Sequence, residues 1–297
     1  MLLLGVPNLS EGRDERRIAG LRDAFAGYAS LLDVHSDADH NRTVLTLGGS
    51  PEAVEASLLA GARAAVEAID LRSHRGLHPR VGALDVCPVV WLGAEAREEA
   101  IEVAHEIADG IAEGLGVPVF LYGELAASEE RRERAFFRDG GPEELARRLG
   151  EGELEPDLGP ARLHPTAGAT LVTARPPLVA FNVEIEAPGV EVASVIAGKL
   201  RETNGGLPGV RAIGLELGDR RLQVSVNVGD PYATPLARVV ETVRELAEPH
   251  GARPVACELI GLAPEAALDG FPEWIEIRGF DPAQHLIERR VEGLDSR

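Results

Sequence analysis

The sequence predicts an α+β protein of two lobes, each running β-α-β-β-α-β with its sheet covered by helices on one face. Three observations carry that expectation. Short apolar runs of strand length alternate with longer stretches of helical periodicity from the first residues onward. The alternation is interrupted by one polar run, residues 128–158, and then resumes in the same order. The 297 residues, 44% hydrophobic and 27% charged, are enough chain for two cores at ordinary globular composition.

Taken in order, Leu2 to Asn8 is apolar, with no basic residue before it and no small-residue cleavage site after it. It therefore reads as a first strand and not as a signal peptide. Ser10-Glu11-Gly12-Arg13-Asp14-Glu15 opens a helix carried to about Tyr28, and a strand follows from Ser30 to His35. Strand Arg42 to Gly48 leads through Ser50-Pro51-Glu52, a capping residue before proline at the first helical position, into an alanine-rich helix ending near Ile69. Strand Ala83 to Leu92, helix Ala94 to Leu115 and strand Val117 to Tyr122 complete the first lobe.

Residues 128–158, rich in Arg, Glu, Gly and Asp with one helical stretch from Pro142 to Leu149, read as a solvated surface connection. The second lobe reads as strands Ala169 to Ala174 and Leu178 to Glu186, helix Val190 to Asn204, strands Val210 to Leu217 and Arg221 to Val228, helix Pro235 to His250 and strand Arg253 to Leu259. The expected division is thus 1–168 and 169–297, with the cleft between the lobes as the expected ligand site.

Charge and motifs exclude several function classes. Thirty basic against 49 acidic residues give a net charge of -19, which repels a phosphate backbone and argues against nucleic acid as a partner. No apolar run approaches the roughly 18 residues that span a bilayer, so no membrane partner is expected. Cys87 and Cys257 sit in apolar contexts and read as core thiols of a reduced, cytoplasmic chain. Lys199 is the only lysine, which leaves arginine as the clamp for any carboxylate or phosphate. G-x-S-x-G, the phosphate loop G-x-x-x-x-G-K-[ST] and a G-x-G-x-x-G after a strand are all missing.

The densest polar constellation lies in two loops at strand ends, Asp33 to Arg42 and His74 to Asp85, which hold four of the eight histidines. Imidazole is the side chain matched to proton transfer near neutral pH, so a general base or acid is expected here. A metal site is the alternative, with His35, Asp37, Asp39, His40, His74 and His78 as its possible ligands. Against it, the His74/His78 spacing brackets Gly76 and precedes Pro79, unlike two ligands on one helical face. A third stretch, Gly159-Pro160-Ala161-Arg162-Leu163-His164-Pro165-Thr166-Ala167-Gly168, has the Gly and Pro content of a loop that approaches a flat ligand, or of a simple interlobe linker.

Together these residues resemble the glutamate formimidoyltransferase family. The resemblance rests on Val6-Pro7-Asn8-Leu9-Ser10-Glu11-Gly12, on Leu32-Asp33-Val34 with Asn41-Arg42-Thr43-Val44, and on Ile69-Asp70-Leu71 with His74 and Gly76. Its most specific block is His78-Pro79-Arg80-Val81-Gly82-Ala83-Leu84-Asp85-Val86-Cys87-Pro88, and it extends to Gln223-Val224-Ser225-Val226-Asn227 and Glu258-Leu259-Ile260-Gly261-Leu262.

The resemblance implies transfer of the formimino group from N-formiminoglutamate to N5 of tetrahydrofolate, the acceptor substrate, giving 5-formiminotetrahydrofolate and glutamate in histidine degradation. It implies facing mixed sheets with helices on their outer sides, and a homodimer. On matching positions His78 is the catalytic histidine, residues 159–168 are the folate loop, and no metal is used. His35, Asn41, Arg42, Arg75 and Arg80 are the substrate-binding candidates, the arginines for carboxylates. Relatives fused to a cyclodeaminase carry a further helical domain, so a separate cyclodeaminase is a possible partner here.

Two positions depart from the family pattern. His35 stands where several relatives carry aspartate, and Ala167 where animal-type members carry a large aromatic. Both leave room for a related formyl transfer between 5-formyltetrahydrofolate and glutamate. A metal-dependent hydrolase and a non-catalytic folate-binding protein are the readings from other classes.

Overall fold

The computed structural model describes residues 1–294, which form two compact units, Met1–Arg175 joined by Gly293 and Leu294, and Pro176–Glu292. The first unit contains β1 (Leu3–Gly5), β2 (Asn8–Leu9), α1 (Glu15–Phe25), β3 (Ser30–Asp37), β4 (Arg42–Gly49), α2 (Pro51–Ala68), β5 (Leu84–Trp91), α3 (Arg97–Leu115), β6 (Val119–Leu121), α4 (Arg134–Arg138), α5 (Gly141–Gly150) and β7 (Thr170–Arg175). β1 and β2 are one strand position broken at Val6-Pro7. Pro7 has no N–H for the ladder, and the break is bridged by Val6 N–H to Pro88 O and Leu45 N–H to Pro7 O.

Across the sheet the order is β3, β4, the β1/β2 position, β5, β7, β6, antiparallel up to β5 and parallel from β5 to β7 and from β7 to β6. The first four positions are a split β-α-β. β6 and β7 extend it.

Helix starts follow the chemistry of their caps. α1 begins four residues later than the polar run containing Glu11 suggests. The Ser10 hydroxyl is donated to Gly82 O at 2.7 Å, and Asp14 caps instead, accepting from Arg16 and Arg17 amides at 3.0 and 3.1 Å. α2 starts as expected, its Ser50 hydroxyl accepting from the Ala53 amide ahead of Pro51. Leu3, Leu45, Leu47, Leu58, Ile107 and their neighbours make the core between sheet and helices.

The 128–158 segment is not a solvated connection. Phe137, Leu145, Leu149 and Leu154 are buried with Val86, Phe120 and Leu171 in a second core of the first unit. Arg131 ties the segment down, pairing with Asp157 at 2.6 Å and lying over the Phe120 and Phe137 rings. Two neighbouring phenylalanines supply the apolar area that the charged composition hid.

β7 also departs from expectation. It pairs with β5 and β6, so the first unit closes after Arg175 and not after Gly168. The second unit is β8 (Val179–Glu186), α6 (Val190–Leu200), β9 (Val210–Glu216), β10 (Leu222–Val228), α7 (Leu236–Ala247) and β11 (Arg253–Ile260), followed among the described residues by three short helical turns. Its sheet, in the order β11, β8, β10, β9, is antiparallel throughout and not mixed. This is again a split β-α-β, with its own core of Phe181, Val183, Ile196, Val226 and Val240. Among the described residues no helix is long and apolar enough to cross a membrane.

Candidate active site

Asn41 pins together the two loops that the sequence singled out. It sits at φ 49°, a left-handed conformation that Asn tolerates, in the turn between β3 and β4. Its Oδ1 accepts the Gly12 amide at 2.8 Å and its Nδ2 donates to Arg75 O at 2.9 Å. Its own carbonyl contacts His74 Nε2 at 3.0 Å. Gly12 is required by close approach, because a Cβ there would lie 2.2 Å from Asp37 O and 2.5 Å from Arg42 N. Gly76 is pressed equally hard, with a Cβ 2.3 Å from His40 O.

The loop that follows α2 carries His78. Its Nδ1 lies 2.7 Å from Pro79 O. A carbonyl only accepts, so the proton belongs on Nδ1 and Nε2 is left as a base. Burial, followed by the Arg42 and then the Arg138 guanidinium, holds the His78 imidazole well below its ordinary pKa, and Asp85 only partly opposes them. Neutral at physiological pH, this ring is ready to take a proton.

Beneath it, Asp85 is wholly buried. Oδ2 pairs with Arg42 Nη1 at 2.7 Å and with Arg138, and Oδ1 accepts the Val81 amide at 2.7 Å. Burial works to raise this carboxyl, yet Arg138 and Arg42 together hold it well below the carboxylate range. Two guanidiniums on one carboxylate leave an excess positive charge beside His78. Arg42 also donates from Nε and Nη2 to Asn8 Oδ1 at 3.2 and 2.8 Å.

Arg138, from α4, was missed in the sequence because it lies within the run read as a solvated connection. The signal that finds it is its neighbour Phe137, an apolar anchor that brings α4 down on the sheet.

The remaining candidates fall into place less centrally. Arg75 Nη1 and Arg80 Nη2 both donate to His74 O, at 2.7 and 3.2 Å, so each braces the loop. Arg80 Nε is buried with no hydrogen-bond partner among the described residues. His35 stands on β3 two residues before Asp37. Asp37 is register partner to Arg42, so strand alternation puts His35, Asp37 and Arg42 on one sheet face.

In the 159–168 loop His164 is the organiser. Its Nδ1 accepts the Ala167 amide at 3.0 Å, and its backbone pairs both ways with Gly168. Thr166 O and Ala167 O accept from the Leu71 and Ala83 amides, which stitches the loop to the His78 loop. Gly159, Ala161, Arg162 and Pro165 are exposed, whereas Ala167 is buried in the core and cannot be a stacking platform.

The histidines and aspartates offered as metal ligands do not converge. Among the described residues no three His, Cys, Asp or Glu side chains are placed to hold a metal ion. Burial pushes both thiols, Cys87 and Cys257, up to about 12, which removes them as nucleophiles.

A neutral imidazole with its lone pair on Nε2, set beside a surplus of guanidinium, is chemically able to exchange a proton with an anionic ligand, the equipment of a group-transfer enzyme. The family comparisons narrow this. Residues 2–175 match the family model described as the formiminotransferase domain, N-terminal subdomain, and residues 180–291 match the formiminotransferase domain. The chain belongs to the formiminotransferase family.

Its relatives include the glutamate formimidoyltransferases of Streptococcus pyogenes serotype M1 and Thermoplasma acidophilum. Each is 38% identical and covers 97% of this chain, and the chain covers 98% and 96% of them in turn. The formimidoyltransferase-cyclodeaminase of Gallus gallus is 41% identical over 89% of this chain, which spans 50% of that protein.

Proposed function

We propose that the chain transfers the formimino group of N-formiminoglutamate to N5 of tetrahydrofolate, releasing glutamate, and that His78 carries the proton transfers. The observation that carries the reading is the His78 Nδ1 contact to Pro79 O, which leaves Nε2 as a base beside Arg42 and Arg138. N5 loses a proton as its bond to the amidine carbon forms, and the glutamate nitrogen gains one as its bond to that carbon breaks. His78 Nε2 is placed to take the first proton, a role worth about 10² to 10⁴ in rate.

The excess charge of Arg42 and Arg138 over Asp85 attracts a substrate carboxylate. Arg75 and Arg80 hold the loop in position, and Asn41 fixes it to the β3–β4 turn. His35 lies on the same sheet face as Arg42 and lines the approach. The folate is taken by the exposed residues of the 159–168 loop, where Gly159 at φ 85° sets the turn close against Val117 and Ala112.

The family name and the fused relatives support a place in histidine degradation. The fused relatives likewise support a separate cyclodeaminase as the consumer of the product, and a cytoplasmic homodimer completes the proposal on the family resemblance alone.

The test is glutamate release from N-formiminoglutamate, with and without tetrahydrofolate, for the unmodified chain and for His78→Ala in chelator-treated buffer. Release that requires tetrahydrofolate and falls by at least about 10²-fold in the variant is the expected result. Release without tetrahydrofolate, or an undiminished rate in His78→Ala, refutes it.

A further inference from the structure

His40 entered the sequence reading as one of four clustered histidines, among them a candidate general base or acid, and as a possible metal ligand; the structure gives it a definite partner. Its ring is nearly buried, 8% exposed, in the β3–β4 turn. Its Nδ1 lies 3.1 Å from Asp37 Oδ2, and its amide donates to Asp37 Oδ1 at 2.7 Å. Asp37 is therefore both the backbone cap and the partner of the ring. Burial opposes ionisation of this carboxyl, but the hydrogen bonds from the His40 ring and amide prevail and bring it down to about 2, so it is a carboxylate throughout the working pH range.

A carboxylate on Nδ1 fixes the tautomer and leaves Nε2 as the exchanging nitrogen, as in any carboxylate-oriented imidazole. The His40 and His78 rings stand edge to face with centroids 6.1 Å apart, a separation on the scale that a single bridging water spans. The two turns are locked to each other, because the Leu77 amide donates to Asp39 O at 3.2 Å and Gly76 packs against His40 O.

We propose that the Asp37–His40 couple is the second proton-carrying element of this site, a positioning and relay residue pair acting through His78. The proposal rests on the formimino-transfer reading. His78 Nε2 takes the proton that N5 loses as the N5–carbon bond forms. His40 Nε2 receives it from His78, with the Asp37 carboxylate balancing the imidazolium. His40 then returns it to His78, which passes it to the departing glutamate nitrogen as the carbon–nitrogen bond breaks, so that no proton is gained or lost overall.

The charges around the two rings divide the work. His78 faces Arg42 from β4 and Arg138 from α4, with Asp85 from β5 between them, whereas His40 faces Asp37. Arg13 donates from Nε to Ala38 O of the same turn at 2.7 Å. Neighbouring imidazoles with environments of opposite sign are the arrangement that separates a base from an acid.

The test uses His40→Gln, His40→Ala and Asp37→Asn. Gln keeps a polar partner for Asp37, and Asn keeps the acceptor for the His40 amide. Each variant is first checked for an unchanged far-ultraviolet spectrum and for a cooperative thermal transition that lies above the assay temperature.

The expected result is a fall in kcat of about 10²-fold in all three, with the KM of both substrates within about twofold. Added imidazole partly restores kcat in His40→Ala, and one limb of the kcat against pH profile is lost. Unchanged kcat in His40→Gln overturns the proposal. So does a loss in His40→Ala that imidazole leaves untouched and that keeps the original pH profile. Tetrahydrofolate-dependent release by the unmodified chain, abolished in His78→Ala, reports on the reaction itself and is independent of either outcome.

Discussion

Replacing Asp85 with asparagine tests the electrostatics beneath His78. The carboxylate is wholly buried and answers two guanidiniums, Arg42 at 2.7 Å and Arg138, together with the Val81 amide. Asparagine keeps one oxygen for the amide but carries no charge, so both cations are left uncompensated where water does not reach. Removing one partner of a buried ion pair costs about 3–5 kcal/mol. At about 2–4 °C per kcal/mol for a unit of this length, the first unit should melt roughly 6–20 °C lower in calorimetry.

The double variant Asp85→Asn/Arg138→Met removes one stranded cation and should recover at least about 1 kcal/mol, a coupling that a double-mutant cycle measures directly. A shift below about 2 °C in Asp85→Asn, or strict additivity in the double variant, would refute the reasoning.

Two further outcomes follow from the same geometry. Gly12→Ala places a Cβ 2.2 Å from Asp37 O and 2.5 Å from Arg42 N, both main-chain atoms that cannot swing aside, so a destabilisation of about 3 kcal/mol in urea titration is expected. A loss under about 0.5 kcal/mol would mean the turn relaxes. Stability should also fall with acidity in two separate windows. Burial lowers the folded-state pKa of His74 below its ordinary 6.5, so the unfolded chain binds the proton first and stability declines as pH drops below 6.5. Asp37, depressed from 3.8 to about 2, contributes stability that is fully present above 3.8 and is lost as pH falls toward 2. His78, held further below 6.5, contributes to the same window, so in His74→Gln the upper slope should lessen without vanishing while the lower one stays; an unchanged upper slope refutes the His74 share.

Most elements were legible because their signals are local. Ser50-Pro51 announces α2 by capping chemistry alone, and the α3 face from Ala100 to Ala112 announces itself by period. What escaped depends on distance. Whether β7 joins the first or the second sheet is decided by parallel pairing with β5 and β6, which leaves no trace in a six-residue apolar run. Arg138 is indistinguishable in sequence from the solvated arginines around it until Phe137 and Phe120 come together.

The site shows the same division. The His78 and Asn41 loops stood out by residue type, but the roles of Asp85 and Arg138, and of Asp37 toward His40, are set by which side chains meet across strands. Ala167 looked like a ligand-facing position, and only its burial shows otherwise.

The position of β7 has a consequence for biogenesis. During synthesis β5 and β6 emerge while the place between them is still empty, and the intervening segment, with α4 and α5, must be released before β7 can be inserted as the central strand of that half. Until Arg175 has left the ribosome, the nascent sheet exposes two unsatisfied parallel edges, a state prone to pairing with other chains. The second unit, whose four strands close within their own stretch of chain, has no such waiting period. A nascent chain stalled at Gly168 should therefore need a chaperone that one stalled beyond Arg175 can do without.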